Sequence, residues 1–135
     1  MLLAIDTSTS LIGAACLRGG EVLSEVTVAD ARRHGELLAP AIREALRRCG
    51  GDIGDLEQIV VGVGPGPFTG LRVGITTGLV MGHALGIPVV GVCSLDAIAT
   101  QAARGVATQR GWPELLVATD ARRKEVYWAR YVVKA

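Results

Sequence analysis

From Gly70 to Gly86 glycine returns at every fourth position, as Gly70, Gly74, Gly78, Gly82 and Gly86, in a stretch that otherwise reads as helix. An interior glycine costs a helix about 1 kcal/mol relative to alanine, so Gly74, Gly78 and Gly82 together cost roughly 3 kcal/mol. Residues four apart share a helix face, which leaves a stripe almost free of side chains. Another backbone can come unusually close to such a stripe. Leu71, Ile75, Met81 and Leu85 lie in the same sector and could seal the contact. Two readings stand: the stripe packs onto the chain's own sheet, or it meets another subunit, and one helix can do both on opposite faces. Under the second, Gly78→Leu leaves the fold intact and abolishes pairing. The same spacing marks dimerising membrane helices, but Arg72 and His83 interrupt the stretch and it falls short of the ~20 apolar residues a span needs.

The chain has 135 residues, 50% of them hydrophobic, enough for one compact domain with a real core. A net charge of +1 argues against a general nucleic-acid or membrane-surface binder. The basic clusters Arg32-Arg33, Arg47-Arg48 and Arg122-Arg123-Lys124 read as solvated faces, with RNA contact the minority alternative. Cys16, Cys49 and Cys93 are widely spaced and form no CxxC, which suits a reduced cytosolic protein. The first apolar run stops at Asp6 with no basic segment before it, so no signal peptide is expected, and the cytoplasm is the expected location.

Leu2–Ile5 reads as a strand ending in a polar turn. Ile12–Leu17 and Glu21–Val28 read as a hairpin around Arg18-Gly19-Gly20. Leu37, Leu38, Ala41, Ile42, Ala45, Leu46 and Cys49 recur at helical spacing, with Pro40 near the start and Gly50-Gly51 as the stop. Ile59–Val63 is a strand, the glycine-striped helix follows, then a strand at Pro88–Val92 and a helix from Ser94 to Ala103. Strand and helix alternating through short connections imply parallel strands and an α/β class. Arg104–Trp112 is the expected loop or lobe boundary. Beyond it, Leu115–Asp120 repeats the character of Leu2–Asp6, an apolar strand ending in aspartate, and leads into a second hairpin strand, Glu125–Val133. A duplicated unit or a chance likeness of two hairpins would both give this pattern.

The loop Val63–Gly70 opens a helix, where phosphates often bind. It lacks the lysine of a Walker A loop, and Pro65 and Pro67 remove two backbone donors. A rigid turn capped by Thr69 is the simpler role. His34 and His83 are far apart, with no HxxxH or HExxH, so no metal site of the usual kind is expected. A nucleophilic triad has no evident partners. Asp6 and Asp120, with Thr7 and Ser8, are the best candidates for a metal–nucleotide cleft, and turn and cap chemistry accounts for them equally well.

Four segments together carry a resemblance: Leu3–Thr9, His34–Leu38, Gly62–Gly74 (GVGPGPFTGLRVG) and Asp120–Tyr127. Over essentially the whole chain they resemble the TsaB (YeaZ) family of tRNA threonylcarbamoyladenosine biosynthesis. The resemblance implies an ASKHA-type α/β fold, an actin-like lobe of mixed β-sheet flanked by helices at residues 1–110. The first hairpin of a second, truncated lobe would follow at 111–135. It also implies a non-catalytic partner of the TsaD-type transferase, which modifies adenosine 37 of tRNAs reading ANN codons. That transferase carries an HxxxH metal motif after this lobe's last strand. The matching stretch here, Val92-Cys93-Ser94-Leu95-Asp96-Ala97, has neither histidine.

By the same resemblance the chain would pair with a TsaD-like paralogue through its first two helices, and with itself when alone. The interface would comprise Leu38, Ile42, Leu71, Gly74, Ile75, Gly78, Leu79 and Gly82. The ATPase subunit TsaE would act indirectly, contact with tRNA would be weak, and no cofactor, metal or membrane is expected. The alternative is an ATPase or kinase of the same fold class, using Asp6 and Asp120 around a magnesium nucleotide.

Overall fold

Alternating burial builds a five-stranded mixed sheet in the computed structural model, which describes residues 1–133; Lys134 and Ala135, at the end of the expected second-lobe segment, lie outside the described residues. The strands are β1 (Leu2–Asp6), β2 (Leu11–Arg18), β3 (Glu21–Ala29), β4 (Gln58–Gly62) and β5 (Val89–Val92), in the order β3-β2-β1-β4-β5. β1, β2 and β3 form an antiparallel meander whose second turn is closed by Gly19 and Gly20, at φ 60° and 87°. That left-handed pair suits a tight hairpin without strain. β4 lies parallel to β1, and β5 parallel to β4, as the helical crossovers required.

One face of the sheet holds the core. Leu3, Ile5, Ile12, Ala14, Cys16, Val26, Ile59 and Val61 point into it, against Leu38, Ala41, Ile42, Ala45 and Leu46 of α1 (His34–Arg48). Buried Ser24 of β3 donates its hydroxyl to the Ala45 carbonyl at 2.7 Å, tying strand to helix. Pro40 lies inside α1 on its exposed side. α2 (Phe68–Leu85) covers β1, β4 and β5 on the same face and stops at Gly86. Its N-cap is Pro67, with no side-chain cap, so Thr69 is not the cap that the sequence suggested but lies within the helix. The opposite sheet face is lined by small residues, Ala4, Gly13, Ala15 and Gly62 among them, around a shallow cavity of about 240 Å³.

The glycine stripe packs onto the chain's own sheet. Gly70, Gly74, Gly78 and Gly82 are the buried residues of α2. A Cβ at Gly74 would overlap the Thr7 hydroxyl, at Gly78 the Val61 side chain, and at Gly82 the Val89 side chain. Ile75, Met81 and Leu85, half-buried beside them, seal that contact. The helix therefore gives up intrinsic propensity to sit close to the sheet.

The second sheet is a hairpin of β6 (Glu114–Arg122) and β7 (Glu125–Val132). α3 (Ser94–Ala102), which the sequence reading set on the side of residues 1–110, packs against this hairpin. Leu95, Ala99 and Val117 form the centre of that small core, with Tyr127 and Tyr131 beside them. The segment expected as a loop continues helically instead, through a kink at Gly105 and a last turn at Thr108–Arg110. The Tyr131 hydroxyl donates to Asp96 Oδ1 at 2.6 Å. That bond, with some desolvation, pushes the phenol up to about 12.

Candidate functional site

β1 ends in Asp6-Thr7-Ser8, and the chain uses each of these side chains to fasten its own elements. Asp6 Oδ1 accepts from the Ser8 N–H at 2.7 Å and the Ser8 hydroxyl at 2.6 Å, while Oδ2 accepts from the Ser94 hydroxyl at 2.9 Å. The carboxylate thus joins the end of β1 to the start of α3. Gly62 is required beside it, because a Cβ there would overlap the carboxylate. Thr7 is fully buried; its Oγ1 donates to the Gly70 carbonyl at 2.8 Å and accepts from the Gly74 N–H at 3.1 Å. That pair pins the first turn of α2 to the sheet. Gly66 lets the loop before α2 pass over the Ser8 backbone.

Asp120 shows the same local chemistry two residues before the end of β6. Its Oδ1 accepts from the Arg122 N–H at 2.8 Å, two residues on, as Asp6 does from Ser8. Both are Asx turns. Among the described residues no hydrogen bond joins the two aspartates, and the cavity that Asp6 lines does not include Asp120. Nor do the described residues hold any group of three or more His, Cys, Asp or Glu side chains placed to bind a metal.

Sequence reasoning missed Ser94, Gly62 and Gly66. Ser94 entered as a helix start and as a position lacking a histidine, not as a partner of Asp6; that contact spans 88 residues and left no local signal. His34 opens α1 and is buried, with Nε2 at 2.9 Å from the Thr9 carbonyl. Because a carbonyl only accepts, that nitrogen carries the proton. At the neighbouring surface Asp30 accepts from the N–H groups of Arg32 and Arg33 and from Arg33 Nε. The Arg32 N–H bond first, then those from Arg33, hold its carboxyl down to about 2.

The turn between β6 and β7 is unusual. Arg122, Arg123 and Lys124 have φ of 64°, 52° and 65°, a left-handed run that costs L-residues roughly 1–2 kcal/mol each. Glycine or asparagine would relieve it, yet the turn carries three cations.

The proposed partner residues divide by face. Leu38 and Ile42 belong to the core under α1, and Gly74, Gly78 and Gly82 face the sheet, so these five offer no surface. Leu71 and Ile75 are half-buried. Leu79 is 56% exposed, and it stands on the outward side of α2 with Val80, 61% exposed, and Arg72, Thr76 and His83. Phe68, beneath the Arg72 guanidinium at 5.2 Å, extends that apolar strip toward the start of the helix. No helix of the described residues is long and apolar enough to cross a membrane.

Comparison with known proteins places these features. Residues 21–135 match the family model TsaD, tRNA N6-adenosine threonylcarbamoyltransferase. An uncharacterized protein of Mycobacterium tuberculosis is 50% identical over 132 residues, which is 96% of this chain and 58% of that protein. The tRNA threonylcarbamoyladenosine biosynthesis protein TsaB of Escherichia coli is 37% identical over 132 residues, 96% of this chain and 54% of the relative. YeaZ from Pseudomonas aeruginosa superposes with a TM-score of 0.86 at 35% identity, covering 98% of this chain and 60% of that one. The ROK hexokinase of Thermus thermophilus, at TM-score 0.55 and 22% identity over 99% of this chain and 47% of its own, shares the ASKHA-type fold alone. The chain thus spans somewhat more than half the length of the Mycobacterium tuberculosis, TsaB and YeaZ relatives.

Proposed function

Because the chain belongs to the TsaD-type threonylcarbamoyltransferase family, in its TsaB (YeaZ) branch, we propose that it serves formation of N6-threonylcarbamoyladenosine at tRNA position 37 as a non-catalytic partner of a TsaD-like subunit. The observation that carries the reading is the fate of Asp6. The alternative, an ATPase or kinase using Asp6 around a magnesium nucleotide, would need that carboxylate free to face the nucleotide. Here its two oxygens accept three hydrogen bonds from Ser8 and Ser94, and the residue serves as a brace. What remains for function is a surface. The outward side of α2, with Leu79 and Val80 at its centre and Phe68 at one end, is an apolar face that no described residue covers. A self-pair and a mixed pair would compete for it, and TsaE would act on the mixed pair.

The test is light scattering after size exclusion, on the chain alone and mixed with its cognate TsaD-like protein. Leu79→Asp together with Val80→Asp abolishes the mixed complex while the thermal midpoint stays within a few degrees of the parent. A mixed complex that survives both substitutions moves the interface elsewhere. ATP hydrolysis by the isolated chain that Asp6→Asn removes would overturn the scaffold reading in favour of the kinase-type alternative.

A further inference from the structure

Three sulfurs meet where the chain start, β2 and the end of α1 come together. Met1 precedes β1, Cys16 lies on β2 opposite Leu3, and Cys49 follows the last residue of α1. Met1 and Cys16 are buried in the main core, and Cys49 packs against it half-buried. Both cysteines are free thiols. Cys49 Sγ lies 3.8 Å from Met1 Sδ. The Cys49 thiol also bears on Cys16, whose own thiol is pushed up by burial first; a bond with Ser24 opposes that rise and contact with Cys49 adds to it. A Cβ at Gly51 would come within 3.3 Å of both Cys49 Sγ and Met1 Sδ. The half-exposed Gly51 therefore lies beside these sulfurs with no side chain to shield them, which leaves an entry path.

We propose that Met1 Sδ, Cys49 Sγ and Cys16 Sγ form a site for one soft monovalent metal ion, copper(I). Two thiolates and a thioether are the ligand set that selects such an ion. Metal–thiolate bonds are about 2.3 Å long, so three sulfurs in a plane around one ion stand about 4 Å apart. Met1 and Cys49 already hold that spacing. Zinc suits the place poorly, because its closed sites take four ligands from Cys, His and carboxylates. Among the described residues no group of three or more His, Cys, Asp or Glu side chains is placed to supply them. Each cysteine gives up its proton to solvent as its sulfur binds. Copper enters and stays as copper(I), so no electron is transferred. Burial keeps Cys16 a neutral thiol until the ion arrives. The bound ion clasps the chain start and β2 to the end of α1. The site is independent of the partner face on α2 and of Asp6, which share no residue with it.

Anaerobic titration of the reduced whole chain with copper(I), against a chromogenic copper(I) chelator, tests this. Expected is one ion per chain, with thiolate-to-copper absorption in the near ultraviolet. Cys49→Ser weakens binding by about a hundredfold or more, since even outer-shell changes at a metal cost about 10–100-fold. Serine keeps the size of this half-buried side chain, so without copper the variant's urea midpoint stays near the parent's. Cys93→Ser, at the cap of α3 and outside the cluster, leaves affinity unchanged. The chain has two methionines, so a selenomethionine-labelled Met81→Leu protein carries selenium only at Met1. X-ray absorption of its copper-loaded form shows direct copper–selenium scattering. The proposal is overturned if Cys93→Ser weakens copper(I) as much as Cys49→Ser, or if no copper–selenium contact is seen. Removal of the ion by glutathione at equal thiol concentration would overturn it too, reducing the site to ordinary thiol affinity.

Discussion

Gly78→Ala reverses the usual sign of a glycine-to-alanine change in a helix. At a free position the substitution stabilises by about 1 kcal/mol, through propensity and loss of unfolded-state freedom. At Gly78 the added methyl would overlap Val61 Cγ2 and lie 3.6 Å from Ile59 Cγ2. Val61 is 2% exposed and stands on β4, flanked by β1 and β5, so neither strand nor side chain can retreat. The helix must lift instead. Overpacking of this kind costs about 1–3 kcal/mol, and subtracting the propensity gain leaves a net loss of roughly 1 kcal/mol. For a domain of this size that corresponds to a fall in Tm of about 3–6 °C. Leucine at the same position, with three more carbons, would prevent docking of α2 altogether, contrary to the expectation that Gly78→Leu spares the fold. The assay is urea unfolding followed by far-UV circular dichroism, with Thr76→Ala on the exposed side of α2 as the control, within ~0.5 kcal/mol of the parent. A Gly78→Ala protein with a higher urea midpoint than the parent would refute the internal-packing argument.

Two further outcomes follow from particular hydrogen bonds and ion pairs. Thr7→Val keeps the shape of the side chain but removes both bonds to α2, leaving buried backbone groups of Gly70 and Gly74 without that partner. The expected cost is about 1–3 kcal/mol by urea titration, and a loss below ~0.5 kcal/mol would show that the bonds do not matter. The bonds from Arg47 and then Arg48 hold the Glu44 carboxyl down to about 2, from an ordinary 4.5. A depressed carboxylate stabilises above its unfolded pKa and loses that contribution as pH falls through the folded one, so the window runs from about 4.5 to 2. Glu44→Gln should flatten the urea midpoint across that window, and 1 M salt should mimic it because these surface charges are screened. A slope that neither change alters would assign the acid response to other groups.

The strands and hairpins were legible because each depends on neighbouring residues: apolar runs at Leu2–Ile5 and Ile59–Val61, paired glycines at Gly19 and Gly20, aspartate at the end of β1. The glycine stripe was legible as a close contact but not as to its partner. Its spacing is identical whether Val61 of the same sheet or a second chain fills the groove, and only the parallel pairing of β4 beside β1 decides. Asp6 does end β1, whereas β6 runs two residues past Asp120; the Ser94 hydroxyl that occupies Asp6 comes from the start of α3, and no local pattern announces it. The helical character of Ala103–Arg110 was hidden by Gly105 and by polar residues that suit a loop as well as a kinked helix.

The central position of β1 also bears on how the chain is made. β1 is complete at Asp6, but its parallel partner β4 begins only at Gln58. Between them lie roughly 50 residues, or about 3–10 s of synthesis at the usual 5–20 residues per second. Through that interval the meander of β1, β2 and β3 can form and α1 can cover it, while the inner edge of β1 displays unpaired N–H and C=O groups. α2 cannot shield that edge, because its glycine face is shaped for β4 and β5 as well as β1. A ribosome that pauses while emerging residues are still short of Gly62 would therefore hold out an open strand to its neighbours. Slowing translation there should raise aggregation more than slowing it anywhere after β5.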